Sequence, residues 1–115
     1  MTSMRITLLS LLFLAAAASA HTELSSSTPA DNAAVAASPE MIELEFSEDV
    51  HLTALALKDA AGGTFDLGAL PSETQSAFAI AAPALPPGHY TLSWRAVGAD
   101  THVVSGEVHF SIGLS

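Results

Sequence analysis

The sequence predicts an all-β sandwich of about seven strands. After residue 20, apolar and polar residues alternate with a period of two through most of the chain, as in strands with one face in a core and one in water. Proline, glycine, asparagine and aspartate separate these stretches at short intervals. Many short strands divided by frequent turns in a chain of this size favour two packed antiparallel sheets.

The predicted elements follow in chain order. The strongest strand predictions alternate without interruption, and they are 41–46, 90–96 and 104–112. Weaker alternation marks four further strands, 23–27, 53–58, 64–67 and 77–81. We expect residues 33–37 to form a loop and Ala61-Gly62-Gly63 to form a hairpin loop between two short strands. Tyr90, which follows two prolines and a glycine, is placed as a tyrosine corner.

Residues 1–20 have the three parts of a secretory signal peptide. Arg5 is their only charge, residues 8–18 are apolar apart from one serine, and Ala18-Ser19-Ala20 has the small-x-small pattern of a cleavage site. The apolar run is shorter than the roughly 20 residues of a typical spanning helix, although a retained anchor remains an alternative. We therefore expect cleavage after residue 20 and an exported domain over residues 21–115.

Composition excludes several classes of function. The 115 residues contain no cysteine. Their formal charge of −9 argues against binding to nucleic acid or to an anionic membrane surface. No later stretch is apolar enough for membrane insertion of the mature chain. Neither a phosphate-binding glycine loop nor a nucleophile elbow is present, and we expect a monomer without catalytic turnover.

His21 is the strongest candidate metal ligand. Cleavage after residue 20 would make it the first residue, so that its α-amine and its imidazole Nδ1 could chelate one ion. Nitrogen ligands in a tetragonal set suit divalent copper. The alternative is a histidine left by chance in a loose terminus.

Asp100-Thr101-His102 is the second candidate, in a predicted turn between two strong strands. The aspartate could be an oxygen ligand, or it could accept a hydrogen bond that orients the imidazole. Glu48 follows a strand and could face the same end of the sandwich, although a solvated turn carboxylate is the simpler interpretation. No function is expected at His89 or at the outward-facing His109, and His51 is only a weak candidate for a second site.

Together these motifs resemble those of the CopC family of periplasmic copper-binding, or copper-resistance, proteins. The resemblance covers nearly all of residues 21–115, and its motifs are His21, 24–31, 42–48, 88–97 and 100–106. It implies an immunoglobulin-like Greek-key β-sandwich that binds one divalent copper ion. The implied ligands are the amine and imidazole of His21, Asp100 and His102, with Glu48 nearby. It also implies periplasmic copper handling with an inner-membrane transporter of the CopD type.

The sequence departs from some CopC relatives in its methionines. Those relatives carry a methionine-rich loop that holds monovalent copper, whereas the matching region here, residues 57–70, contains none. Met41 is the only methionine after residue 20. Because monovalent copper prefers soft thioether ligands, we expect the divalent site alone.

Two other functions are compatible with parts of the sequence. One is a metal-free structural sandwich. The other is a copper oxidase resembling lytic polysaccharide monooxygenases, which also use an N-terminal histidine. Such an oxidase needs a broad surface with exposed aromatic residues, and this chain has one tyrosine and one tryptophan, both in predicted strand cores.

Overall fold

A computed structural model of the chain describes residues 22–114, which form seven strands. The predicted signal peptide and His21 lie outside these residues. Residues 22–114 contain no helix long and apolar enough to cross a membrane. The strands are β1 (Leu24–Thr28), β2 (Ala33–Val35), β3 (Met41–Asp59), β4 (Thr64–Phe65), β5 (Gln75–Ala81), β6 (Gly88–Gly98) and β7 (Val103–Ile112).

Strand β3 belongs to both sheets of the sandwich. Its first half, 41–46, pairs antiparallel with β1 and β5 and forms sheet I. Its second half, 50–59, pairs with β4 and β6, and β6 continues through β7 to the parallel edge strand β2, which completes sheet II. Val50 marks the transition, since it pairs with Gln75 of β5 and with Gly98 of β6. The predicted all-β, immunoglobulin-like sandwich is confirmed.

Two strand predictions need correction. The stretches 41–46 and 53–58 are one 19-residue strand, because the intervening residues stay extended and bury Val50 completely. Register shifts on either side of Val50 accommodate the change of sheet. Residues 33–35 form a strand within the predicted loop, since Ala33 and Val35 pack against the core while their backbone pairs with β7. Three residues are too few for a period of two to show.

The core lies between the two sheets and consists of inward residues of β3, β5, β6 and β7, with Leu85 from the segment between β5 and β6. Phe46 of sheet I packs edge-on against Trp94 of sheet II, with ring centroids 5.3 Å apart. Gly106 lies opposite Trp94, and a Cβ atom there would come within 2.8 Å of the indole ring. The buried set is Ile42, Leu44, Phe46, Val50, Leu52, Leu57, Phe78, Ile80, Leu85, Tyr90, Leu92, Trp94, Ala96, Val108, Phe110 and Ile112.

The two predicted turn motifs are confirmed. The Tyr90 hydroxyl donates a hydrogen bond to the Pro86 carbonyl, which is the tyrosine-corner arrangement, and burial together with the nearby Asp59 charge raises the Tyr90 pKa. Gly62, at a φ of +88°, closes the hairpin between β3 and β4. The Asp59 carboxylate stabilises this turn by accepting hydrogen bonds from the N–H groups of Ala61 and Gly63.

Candidate metal centre

The turn between β6 and β7 presents Asp100 and His102 at one end of the sandwich. Gly98 N–H donates to the His102 carbonyl at 3.0 Å, and Thr101 N–H donates to the Gly98 carbonyl at 2.9 Å. Thr101 adopts a left-handed conformation with a φ of +68°, which reverses the chain within a few residues. The backbone therefore fixes the positions from which both predicted ligands project.

Asp100 binds His102 through both of its carboxylate oxygens. Oδ1 accepts the His102 backbone N–H at 3.1 Å, and Oδ2 lies 2.8 Å from the ring Nδ1. These two contacts, the backbone one foremost, lower the Asp100 pKa below its ordinary value. The ionised carboxylate keeps a proton on Nδ1, so the lone pair of the neutral ring lies on Nε2.

The His102 ring is open to an incoming ion. Its side chain is 83% exposed, and Nε2 has no hydrogen-bond partner among residues 22–114. A cavity of about 320 Å³ lies beside it, lined by Thr22, Asp100, His102, Val103 and Val104. An oriented imidazole with a free nitrogen at the edge of a cavity has the geometry that a metal ligand requires.

The start of the described chain is attached to β3 at this same end. Ser47 N–H donates to the Glu23 carbonyl at 2.9 Å, and Glu23 N–H donates to Ser47 Oγ at 3.0 Å. The Thr22 hydroxyl donates to Glu48 Oε2 at 3.2 Å. These three hydrogen bonds hold the N-terminal segment against the middle of β3, at Ser47 and Glu48.

Gly98 brings Thr22 next to the β6–β7 turn. A Cβ atom on Gly98 would lie 2.8 Å from Thr22 Oγ1 and 3.3 Å from Asp100 Oδ1, so both residues pack around this glycine. Thr22, Glu48 and Asp100 therefore lie close together. The sequence suggested Asp100, His102 and Glu48 as candidate ligands but gave no sign of the contacts of Thr22, Ser47 and Gly98, because small and hydroxyl residues carry no metal-binding pattern.

The described residues supply only part of a coordination sphere. Within 22–114 no group of three or more histidine or carboxylate side chains is placed to hold a metal ion. The strongest sequence candidate, His21, lies outside the described residues. Asp100 and His102 would therefore need a further donor.

The remaining histidines lie on exposed surfaces. His109 faces outward from β7, as predicted, and its ring lies between Asp31 and Glu107. His89 and His51 are also exposed.

Comparison with known proteins identifies the family of the chain. The family model described as the CopC domain matches residues 24–113. A protein named copper resistance protein C from Pseudomonas syringae pv. tomato is 34% identical over 117 residues, covering 88% of this chain and 87% of its own. The copper transport protein CutJ from Bacillus subtilis is 31% identical. The match covers 94% of this chain but only 21% of CutJ, which is a longer protein.

A solved structure shares the fold. The crystal structure of PcoC, described as a methionine-rich copper resistance protein from Escherichia coli, superimposes with a TM-score of 0.61 at 36% identity, over 81% of this chain and 99% of PcoC. The family model spans nearly all of the described residues, and relatives above 30% identity cover most of the chain. The chain is a member of the CopC family, whose named relatives are copper resistance and copper transport proteins.

Proposed function

We propose that the mature chain binds one divalent copper ion in the periplasm, through His21, Asp100 and His102. The observation that carries this proposal is the position of Thr22. It packs on Gly98 beside Asp100 and lines the same cavity as His102. Thr22 directly follows His21 in the sequence, so we propose that the His21 donors act at this end of the sandwich.

The proposed coordination combines three nitrogens and one oxygen. Cleavage after residue 20 frees the His21 amine, which chelates copper together with the His21 imidazole. His102 contributes Nε2, the ring nitrogen that Asp100 leaves open. Each Asp100 oxygen accepts one hydrogen bond and retains a lone pair, so the carboxylate can bind the ion while it still orients the ring. Such a tetragonal nitrogen and oxygen set suits divalent copper.

Glu48 acts in this proposal by anchoring Thr22. Its Oε2 accepts the Thr22 hydroxyl hydrogen bond, which fixes the residue next to His21. The carboxylate also adds negative charge beside the bound cation. The alternative is that Glu48 binds the copper ion directly. Glu48→Gln and Glu48→Ala distinguish these two roles.

The proposed site is selective for the divalent ion. PcoC is described as methionine-rich, whereas this chain has only Met41 after residue 20, at the start of β3. Imidazole, amine and carboxylate ligands do not match the preference of monovalent copper for thioethers. Reduction of the bound ion should therefore release it.

The biological task we propose is copper homeostasis, in which the protein buffers the ion or delivers it to a membrane transporter of the CopD type. CutJ supports a transporter partner, because a region similar to this chain makes up part of that longer copper transport protein. We propose a monomeric carrier without catalytic turnover. Tyr90 and Trp94 are only 3% and 8% exposed, so neither can serve as the stacking platform that a polysaccharide oxidase would need.

Two measurements on the exported protein test this proposal. Intact-mass spectrometry with and without copper reports the cleavage site and the stoichiometry together, and we expect a chain that begins at His21 and carries one ion. Electron paramagnetic resonance should give a tetragonal copper signal with nitrogen couplings. A mature chain that begins elsewhere, or two equally tight sites, would refute the proposed ligand set.

A further inference from the structure

Gly98 lacks a side chain for reasons of space, and its backbone conformation does not require glycine. It ends β6, where it pairs with Val50 of β3, and its φ lies outside the left-handed region that favours glycine at Gly62. A side chain at this position would instead meet Thr22. A Cβ atom there would lie 2.8 Å from Thr22 Oγ1, which is too close for two atoms that are not bonded.

Neither side of this contact is free to move away. Gly98 is held by its pairing with β3 and by two hydrogen bonds across the turn, one to the His102 carbonyl and one from the Thr101 N–H. Thr22 Oγ1 is held from the opposite side, because it donates a hydrogen bond to Glu48 Oε2 at 3.2 Å. A methyl group at position 98 would therefore push the N-terminal segment outward and break the hydrogen bond to Glu48.

The contact also joins the two sheets at this end of the sandwich. Thr22 leads into β1, which belongs to sheet I, whereas Gly98 leads from β6 into the β6–β7 turn of sheet II. The proposed copper ligands are divided in the same way, with His21 before β1 and with Asp100 and His102 in the turn. The separation between these two groups of ligands therefore depends on how closely Thr22 approaches Gly98.

We propose that Gly98 is a positioning residue of the copper centre and that its size is matched to that of Thr22. This inference rests on the proposed function, in which His21 binds copper together with Asp100 and His102. The missing side chain lets Thr22 pack against the end of β6 and brings the His21 nitrogens towards the ligands of the turn. A side chain at position 98 separates the two groups, and a smaller residue at position 22 restores the space. Without Oγ1, the Cβ atom of residue 22 would lie 3.5 Å from a Cβ atom at position 98, an ordinary contact.

A double-mutant cycle on the exported protein tests the size match, with copper affinity measured by competition titration. Gly98→Ala should lose about tenfold or more in affinity for divalent copper, the usual cost of disturbing a group that orients metal ligands. Thr22→Ala should lose about fivefold, because it gives up one hydrogen bond to Glu48. Adding Gly98→Ala to Thr22→Ala should cost less than about twofold more, since the clash with Oγ1 is gone.

A measurement on the copper-free proteins separates positioning from a general loss of structure. In NMR spectra, nuclear Overhauser contacts between residue 22 and Glu48 should be present in the wild type and in the double variant. They should be lost in Gly98→Ala, while the backbone spectrum of β3 and β6 remains that of the folded domain. This readout requires no bound copper.

Gly63→Ala is the matched control. It also adds a methyl group at a tight contact, 3.1 Å from Asp59 Oδ2, at a glycine without a positive φ. This hairpin lies about 30 Å from Val50 along β3, so copper affinity should be unchanged. Wild-type affinity in Gly98→Ala, or an equal loss from Gly98→Ala in both Thr22 backgrounds, would overturn the role of Gly98. A wild-type protein that binds no copper through His21 would overturn the proposed function as well.

Discussion

Two pairs of an acidic residue and a histidine, Asp100-x-His102 and Glu107-x-His109, share the same spacing and have opposite surroundings. In the first pair the carboxylate occupies Nδ1 and leaves Nε2 open beside the N-terminal segment. In the second pair carboxylates face both ring nitrogens. The first lies in a turn, where Asp100 accepts the backbone N–H of His102, and the second lies in a strand. Local backbone conformation, more than spacing, decides which nitrogen can receive a metal.

The largest expected effect is that of pH on copper affinity. The nitrogen ligands must lose their protons to bind copper. The Asp100 and Asp31 pKa values lie below the ordinary range, so both carboxylates stay ionised well below neutral pH and contribute little to the change. Because one amine and two imidazoles must be deprotonated, affinity should fall by roughly four to five orders of magnitude between about pH 7 and 5. Competition titrations at several pH values measure this, and a flat profile would exclude amine and imidazole ligation.

Adding one residue before His21 should produce the next largest loss. The extension converts the amine into an amide and removes one arm of the chelate. We expect copper affinity to drop by more than about a hundredfold, since even loss of a supporting group costs 10- to 100-fold. A competition assay compares this variant with one extended by one residue at the C-terminus. Equal affinities of the two would contradict a chelate at His21.

His102→Ala and His109→Ala test the comparison of the two pairs directly. The first substitution removes the open Nε2 ligand and should weaken copper binding by more than about tenfold, or at least 1.4 kcal/mol. The second should leave copper affinity unchanged within about twofold, because His109 lies about 20 Å away from His102 along β7. Isothermal titration of both variants measures the difference. A matching loss in both would mean that the two histidines serve one site.

Substitutions at Glu48 should have a smaller effect and reveal how that residue acts. Glu48→Gln retains an oxygen that can accept the Thr22 hydrogen bond, whereas Glu48→Ala does not. If Glu48 anchors Thr22, the alanine variant should lose about fivefold in copper affinity, the value of one hydrogen bond near 1 kcal/mol, and the glutamine variant should lose almost nothing. Thr22→Val should match the alanine variant. A large loss in Glu48→Gln would instead indicate direct ligation.

The smallest effect should come from Asp31→Asn, measured by thermal unfolding. The lowered pKa of Asp31 means that its carboxylate stabilises the fold at neutral pH and that this contribution disappears as the pH falls through the folded-state pKa. We expect the Tm to drop by less than about 4 °C at neutral pH, because asparagine can still accept the His109 N–H, and the difference to vanish in strong acid. Asp49→Asn, at an exposed strand position, is the control.

Much of the fold was predictable because it depends on local alternation. The sandwich, the tyrosine corner at Tyr90 and the hairpin at Gly62 follow from patterns within a few residues. The continuity of β3 through Val50 was not predictable, since it depends on partners in two different sheets. Strand β2 was missed because, within residues 22–114, it pairs with β7, far along the chain.

Within the candidate site, only the carboxylate and imidazole side chains could be proposed from the sequence. Asp100 and His102 are recognisable ligand types at a recognisable spacing. The roles of Thr22 and Gly98 depend on a contact between the start of the chain and the end of β6, which no local pattern encodes. The position of Glu48 beside Thr22 likewise depends on a contact between residues 26 positions apart in the sequence.

Because β3 is a member of both sheets, the two sheets are coupled during unfolding. Sheet I and sheet II cannot detach as separate units, because the covalent chain of one strand is a hydrogen-bonded member of each. Loss of pairing in either half exposes core residues on both sides of Val50. The sandwich should therefore unfold as one cooperative unit, with slow amide exchange at its centre. The proposed copper centre lies beside the stretch of β3 that joins the two halves. Its protein ligands should therefore be as rigid as the core of the domain.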